Sequence, residues 1–386
     1  MNLSRALESI FHAHGAIPRA LWRSGRAFQP VHMLMEVTYR CNLRCNFCQY
    51  LDIIEGKTQP VGPVTGEIAG EHLMKRIDEL RRGGLITFTG GEVLVRKDFP
   101  DILRHASRRH RTHIISNGAL VDDDVARLYV DLAPAHFWQA GFVLLGVSLE
   151  GDEPRHDAIV KRPGSWQKTM DGLRSVIERR RAARKSYPKI HFNLVVTNET
   201  VAGLVDVMHL AHELGVDTVA FLAEHDLVGH AEGGRLDRLE VAQRRPTGVD
   251  PTFLRRQLVR CFELETPLGV QVRLSPWVPI DEFVRHYTDD RELDRASYVC
   301  EATWDRVAVC ADGRYAPMCH YERAGDVRHD SMREMWNGPE FMKFRRALRR
   351  DRVYPGCNGC CNLRYVGPKK HGLAGIASPT VTAKLN

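Results

Sequence analysis

No stretch of this 386-residue chain holds the roughly 18 or more consecutive apolar residues that a membrane-spanning helix needs. The densest apolar run, Phe142-Val143-Leu144-Leu145-Gly146-Val147, is strand-sized. An export signal is not visible either: Ser4, Arg5, Glu8, His12 and His14 interrupt any apolar core near the start. There is no internal repeat and no low-complexity tract. RNA-binding signatures and aromatic–basic interleaving are lacking. The formal charge of +7, with clusters at Arg108-Arg109-His110-Arg111, Arg179-Arg180-Arg181 and Arg345-Arg346, therefore reads as solvated surface. These absences predict a globular cytoplasmic protein with no membrane or nucleic-acid partner. Leu3, Leu7, Ile10 and Phe11 recur at helical spacing and predict a short amphipathic helix packed on the main domain.

Cysteine is present, and unevenly placed. Of ten cysteines, three lie within 41–48 and six within 300–361, with Cys261 alone between. In a reducing compartment, clustered thiols are more often metal ligands than bridges. Two separate metal sites are the first expectation.

From about residue 33 to 225, strand-like runs alternate with helical periodicity. Strands are predicted at Met33–Thr38, Leu85–Thr89, His113–Ser116, Leu144–Leu149, Ile190–Val196 and Thr218–Leu222. Helices are predicted at Glu71–Arg82, Asp98–Ser107, Val125–Leu132, Ser165–Arg181 and Leu204–Leu214, with cap signals at Asp101 and Gly215. Six strand–helix alternations imply parallel pairing and an α/β fold, a partial (β/α)6 TIM-like barrel. Chemistry in such folds sits at the C-terminal ends of the strands. Beyond 225 the pattern fails. Asp226–Asp250 reads as a loop, Thr252–Glu263 as a helix and Val270–Leu274 as one more strand. From Cys300 onward, glycines and prolines punctuate short segments, as in a small domain organised around a metal. The expected division is 1–32, an N-terminal extension; 33–225, the barrel core; 226–299, a linker with a helix and a strand; and 300–386, the small C-terminal domain.

The first group is Cys41-Asn42-Leu43-Arg44-Cys45-Asn46-Phe47-Cys48, a C-x3-C-x2-C run just after the first strand. Three thiolates on one loop can hold three irons of a cubane and leave the fourth open. A structural zinc site is the alternative, but it would need a fourth ligand, for which His32 is one source. The spacing, with Phe47 before the last cysteine, resembles the defining motif of the radical S-adenosylmethionine superfamily. Further text resembles the same superfamily in order. Thr89-Gly90-Gly91-Glu92 matches its GGE motif, although Val93 stands where proline is common. The resemblance implies that the GGE backbone and carboxylate hold the cofactor's amino group, which suits glycine's permissiveness and a carboxylate's charge. Ser116-Asn117-Gly118 resembles its TNG segment, and Ser148-Leu149-Glu150-Gly151 its S-D-G segment, with glutamate for aspartate. By the same resemblance Phe47, Asn117, Ser148, Glu150, Asn193 and Leu222 fall at cofactor-binding positions. Thr197 falls at one as well, although for Asn193, Thr197 and Leu222 a core role is equally open. His156, in the His156-Asp157 text, reads as a helix cap or surface residue.

The second group, Cys300, Cys319, Cys357 and Cys360, has the spacing C-x18-C-x37-C-x2-C and can close a second [4Fe–4S] cluster. It resembles the SPASM/twitch extension of the superfamily in its short, one-cluster form. It departs in that Met318 occupies the usual cysteine position after Gly313, and Cys310 and Cys361 are extra, Cys361 being able to replace Cys360. A zinc ribbon is the alternative here.

The resemblance implies an enzyme that cleaves S-adenosylmethionine reductively, using a flavodoxin- or ferredoxin-type donor, to a 5′-deoxyadenosyl radical that removes hydrogen from a substrate. Cys310 and Cys261 are candidate hydrogen donors, which would give epimerisation; dehydrogenation is the other outcome. A small polar substrate, a sugar or aminocyclitol moiety of a natural product, is expected from the short extensions on either side of the motifs. Peptide modification is the alternative. A non-catalytic iron–sulfur or zinc protein is the alternative of another class.

Overall fold

The computed structural model describes residues 14–57, 67–224, 247–288, 294–317, 324–353, 357 and 359–367. Cys319, the Leu3–Phe11 helical pattern and most of the 226–250 loop lie outside the described residues.

Strands β1 (His32–Thr38), β2 (Leu85–Gly90), β3 (Arg111–Ser116), β4 (Gly141–Ser148), β5 (Lys189–Val196) and β6 (Thr218–Ala223) pair in sequence order, all parallel. Strand β7 (Gln271–Ser275) extends the series in parallel on β6. Helices Gly70–Glu79, Phe99–Ser107, Asp123–Asp131, Ser165–Ala182, Leu204–Leu214 and Pro251–Leu268 lie between or beside these strands. Alternate strand residues face the helices: Ile86, Phe88, Ile114, Leu145, Val147, Ile190, Phe192, Leu194, Val219, Phe221, Val272 and Leu274 all belong to one buried core. Each such side chain contributes about 1.5–3 kcal/mol when buried. Gly215 ends its helix in the left-handed region, as anticipated. The helix at 99 begins after Asp98, and Asp101 instead pairs with Arg104 in its first turn. A short helix, Glu153–Val160, occupies text that periodicity does not mark.

The remaining strands change the picture of the C-terminal part. Strand β8 (Tyr298–Cys300) pairs with β12 (Leu363–Tyr365) in a separate ribbon. Strand β9 (Arg306–Val309) pairs in parallel with β1, and β10 (Arg314–Ala316) and β11 (Gly325–Asp326) follow antiparallel. Among the described residues the main sheet therefore has ten strands, ordered β11-β10-β9-β1-β2-β3-β4-β5-β6-β7. A region expected to rely on metal instead of a large core contributes Trp304, Trp336, Phe341, Phe344 and Leu348 to the main core. The helix Pro339–Asp351 supplies three of these, at the i, i+3, i+7 spacing of a helix face. Its Arg345 is fully buried, lies over the Trp336 ring at 4.0 Å, and donates to the carbonyls of Thr303 and Trp336.

The sheet is strongly curled. Strands β9 and β7 stand seven steps apart in the sheet order, about 34 Å if it were flat. Yet Arg306 on β9 and Arg273 on β7 feel each other's charge and both act on Cys361. The segment carrying Cys357–Tyr365 crosses between these flanks: Arg306 bonds Asn362, and Trp277, just past β7, bridges to Arg364. Among the described residues the sheet does not close into a barrel, and the C-terminal segment spans its open side.

Candidate active site

The cysteine loop leaves the C-terminal end of β1 and folds over the ends of β2, β3 and β4. Leu43 is buried and anchors it. Backbone bonds tie it down, from Gly91 N to Thr38 O at 2.7 Å, Glu92 N to Arg40 O at 2.9 Å, and Arg44 N to Val160 O at 3.1 Å. The Arg44 guanidinium donates to the carbonyls of Cys41 and Leu43, and Arg162 donates to Asn42 O at 2.9 Å. Phe47 is half-buried on the loop.

Cys41, Cys45 and Cys48 sit within electrostatic reach of one another. Burial raises all three thiol pKa values, and the mutual charges of the sulfurs add to this for Cys41 and Cys45. Such thiols ionise when a metal displaces their protons. Among the described residues, no group of three or more His, Cys, Asp or Glu side chains is arranged to hold a metal ion. His32, the proposed fourth zinc ligand, starts β1 at the opposite end from the loop, with Nε2 2.9 Å from Thr87 Oγ1. Three thiols on one loop, within electrostatic reach of one another, are the donor set of a cluster that spans several atoms and keeps an open iron.

The glycines act first on the loop itself. Gly90 has φ +125°, and a Cβ there would lie 2.3 Å from Thr38 O. A Cβ on Gly91 would lie 2.2 Å from Arg40 O. Their absent side chains let the cysteine loop rest on the end of β2. Glu92 is fully buried, and its carboxylate accepts from Leu94 N, Ser116 Oγ and Asn117 N at 3.1, 2.9 and 2.8 Å. Burial pushes its pKa up, against those three bonds. Three of its acceptor sites are thus engaged in tying the end of β2 to β3. The Gly90–Gly91 backbone remains at the strand ends. Asn117 completes the join: its Nδ2 donates to Asn42 Oδ1 at 2.8 Å.

Glu150, at the end of β4, is buried, and burial pushes its carboxyl up to about 8. Oε2 accepts from Val195 N at 3.1 Å, and its charge acts on Cys45. His156 is neither cap nor surface: it is buried, and its Nδ1 accepts from Glu150 N at 3.3 Å. Ser148 pairs with Asn193 across β4 and β5, and both, with Thr89 on β2 and Leu222 on β6, are half-buried on the strand face turned away from the helices. Thr197 serves its own turn instead, with Thr197 N donating to Thr200 Oγ1 at 2.8 Å.

The interior face holds residues that sequence reading passed over. His32, Thr87 and His113 form a chain at 2.9 and 3.2 Å, and the His113 and His191 rings are 5.2 Å apart. Burial pushes all three histidines down, His191 to about 3, with Arg273 adding to the effect on His113 and His191. Gly146 makes room, since a Cβ there would lie 2.6 Å from His191 Nε2. The available signals were the alternation His191-x-Asn193 and a lone Arg273 between the apolar Val272 and Leu274. Near the loop, buried Glu36 accepts from Tyr50 OH at 2.6 Å and Tyr39 OH at 3.1 Å.

In the second group, Cys300 and Cys357 are electrostatic neighbours, and Cys360 N donates to Cys357 O at 2.9 Å. Gly359 turns at φ +74°, where a Cβ would lie 2.9 Å from the His286 ring. The Cys361 thiol is pulled down, first by a hydrogen bond with Cys360, then by Arg306 and Arg273. Cys310 is buried beside Ala308 and Ala316 and exerts its charge on Tyr39, so it adjoins the first loop. Cys261 sits elsewhere, on the core face of the helix Pro251–Leu268 with Leu258 and Leu264. No helix among the described residues is long and apolar enough to cross a membrane.

Comparison with known proteins adds to this geometry. The profile of the Radical SAM superfamily matches residues 35–211, and that of the SPASM iron–sulfur cluster-binding domain matches residues 300–361. Fe-coproporphyrin III synthase of Methanosarcina barkeri is 25% identical over 210 residues, 53% of this chain and 46% of that protein. The chain therefore spans less than half the length of that relative. The antilisterial bacteriocin subtilosin biosynthesis protein AlbA of Bacillus subtilis is 22% identical over 366 residues, 90% of this chain and 71% of AlbA. Streptococcus suis SuiB has the same fold at 12% identity. Bound to S-adenosylmethionine it gives a TM-score of 0.62 over 87% of this chain and 72% of SuiB. Bound to precursor peptide SuiA it gives 0.60 over 87% and 70%.

Proposed function

From the premise that this chain belongs to the radical SAM superfamily and carries a SPASM iron–sulfur domain, we propose that it is a peptide-modifying enzyme. The observation that carries the catalytic part is the join at the strand ends, where Gly91, Glu92 and Asn117 fasten the three-cysteine loop over β2 and β3. The superfamily's cofactors are a [4Fe–4S] cluster that binds S-adenosylmethionine, the cofactor itself, and auxiliary iron–sulfur clusters. Cys41, Cys45 and Cys48 would hold the first cluster, which when bound supplies the electron that cleaves S-adenosylmethionine to a hydrogen-abstracting radical. Cys300, Cys357 and Cys360, with Cys319, would hold the second. In this reading residues 33–225 are the catalytic core and 300–386 the auxiliary domain.

This chain's own residues do the positioning. Gly90 and Gly91 admit a close backbone approach, while Glu92 locks that backbone from below. Ser148, Asn193 and Leu222 line the cofactor's side of the interior, with Thr89 and Phe47 above. Glu150 stands by Cys45 as a proton-holding carboxyl near neutral pH. Cys310, beside Tyr39, is the thiol offered for hydrogen return. A flavodoxin or ferredoxin would supply electrons.

The substrate class moves from the expected sugar or aminocyclitol to a peptide. The likeness to AlbA, a bacteriocin biosynthesis protein, runs through 90% of this chain, and SuiB has been solved with a precursor peptide. The test is reconstituted protein given S-adenosylmethionine, reductant and candidate precursor peptides. Release of 5′-deoxyadenosine with a mass change on a peptide is the expected result. A change confined to an aminocyclitol or sugar would restore the small-molecule reading. A loaded protein that releases no 5′-deoxyadenosine would be a binding protein instead. Turnover in deuterated water separates epimerisation, which places deuterium at an inverted carbon, from dehydrogenation.

A further inference from the structure

Arg273 is held in an unusual place. Its neighbours Val272 and Leu274 are locked into the core against the helices, so the pleat turns Arg273 to the interior face. It is in register with Ala220 on β6, which is in register with Asn193 on β5. The side chain keeps a large solvent-accessible area, yet burial lowers its pKa. Arg273 therefore stands exposed on the face of the sheet opposite the helices.

The charges around it satisfy it only in part. Arg273 acts on His113 and His191, both held neutral by burial; it meets a second cation in Arg306, and the opposite charge it faces, the Cys361 thiol pulled down to about 6, is shared with Arg306. Arg306 has a carboxylate of its own: its Nε donates to Asp305 Oδ1 at 3.1 Å. No carboxylate pairs with Arg273 among the described residues. Two guanidinium groups close together favour an anion beside them, and the planar fork matches a carboxylate in bidentate fashion.

We propose that Arg273 anchors a carboxylate of the substrate in the barrel interior, so that the peptide taken by this enzyme is acidic at the point that enters. The inference rests on the peptide-modifying reading. The carboxylate comes from an aspartate or glutamate side chain or from the peptide's C-terminus. The competing role for Arg273 is a counter-charge for the second cluster, because it also acts on Cys361.

The test is calorimetric binding of three blocked tripeptides to the reconstituted full chain: Ala-Glu-Ala amide, Ala-Gln-Ala amide, and Ala-Gln-Ala with a free C-terminus. One of the two carboxylate probes should bind at least about tenfold tighter than the neutral one, a difference of about 1.4 kcal/mol, and which one does identifies the source. Arg273→Gln should abolish the difference and Arg273→Lys should keep part of it. Iron content and circular dichroism establish that each variant is folded and loaded. If Arg273→Gln does not fold, the wild-type comparison with Arg273→Lys decides. Equal or undetectable binding of all three probes overturns the proposal. So does a preference that survives in Arg273→Gln, or a shift of the second cluster's potential in that variant with the preference intact. Release of 5′-deoxyadenosine by the wild type is measured in parallel, so failure of the radical reading is seen separately from failure of the anchor.

Discussion

The two cysteine sites have different ionisable groups beside them: buried carboxyls with Arg44 at the first, Arg306 with Asp305 at the second. Around the first loop stand Glu92 and Glu150, both buried, both with raised pKa, and acting on Cys41 and Cys45 respectively. Around the second stands Arg306, acting on both Cys300 and Cys361. The difference suits their expected occupants. A buried carboxyl beside a sulfonium or an ammonium is drawn toward its ionised form, whereas thiolates closing a cluster gain from an arginine. The sites also differ in how they are built. The first is local text clamped by backbone bonds. The second gathers cysteines from β8 and from the segment before β12, which the β8–β12 ribbon brings together, with Leu363 opposite Cys300.

The largest effect that would break this contrast is loss of a first-loop thiol. Cys45→Ala should reduce 5′-deoxyadenosine release to background and leave about four iron atoms per chain instead of about eight. Cys300→Ala should lose a similar amount of iron but keep cofactor cleavage while losing peptide modification. Equal loss of cleavage in both, by chromatography and iron assay, would erase the functional distinction. Next, Gly91→Ala places a methyl against Arg40 O, where the gap is 2.2 Å. It should cost about 1–3 kcal/mol and impair loading of the first cluster alone, read by thermal melting and iron content.

Glu92→Gln turns a donor toward groups that already donate, and should cost about 1–3 kcal/mol in a denaturant titration, with little change at the second site. The smallest effect is a pH slope. Burial holds Glu150 at about 8 in the fold, above about 4.3 in the unfolded chain. The native state keeps a proton that the unfolded chain releases, so this group lowers stability as pH rises from about 4.3 to about 8. Glu150→Gln should retain the acceptor for Val195 N and flatten that part of the curve, measured as melting midpoint against pH. An unchanged slope would remove Glu150 from the charge contrast.

Much of the first site was legible because its chemistry is contiguous. Cys41 to Cys48 and Thr89 to Glu92 are short, and the period of the strands put both at strand ends. What the text did not reveal was the division of labour. Glu92 carries a charge suited to a ligand, but three donors from β2 and β3 already occupy it. His156 looked like surface and is a buried acceptor for Glu150. Cys261 and Cys310 are equivalent as letters, yet one faces helix packing and the other adjoins the cysteine loop. The C-terminal glycines marked turns of the β9–β11 extension, while Trp336, Phe341 and Phe344 carried a core that glycine punctuation masked.

Composition and local pattern determined the parallel α/β order and the thiol chemistry of two sites, because strand period, helix period and ligand spacing are properties of neighbouring residues. Only the tertiary structure decided which side chains share the interior. Arg273, His113, His191 and Arg306 are brought together by the curl of a ten-stranded sheet. That curl is a sum of small twists between strands, and no single segment encodes it.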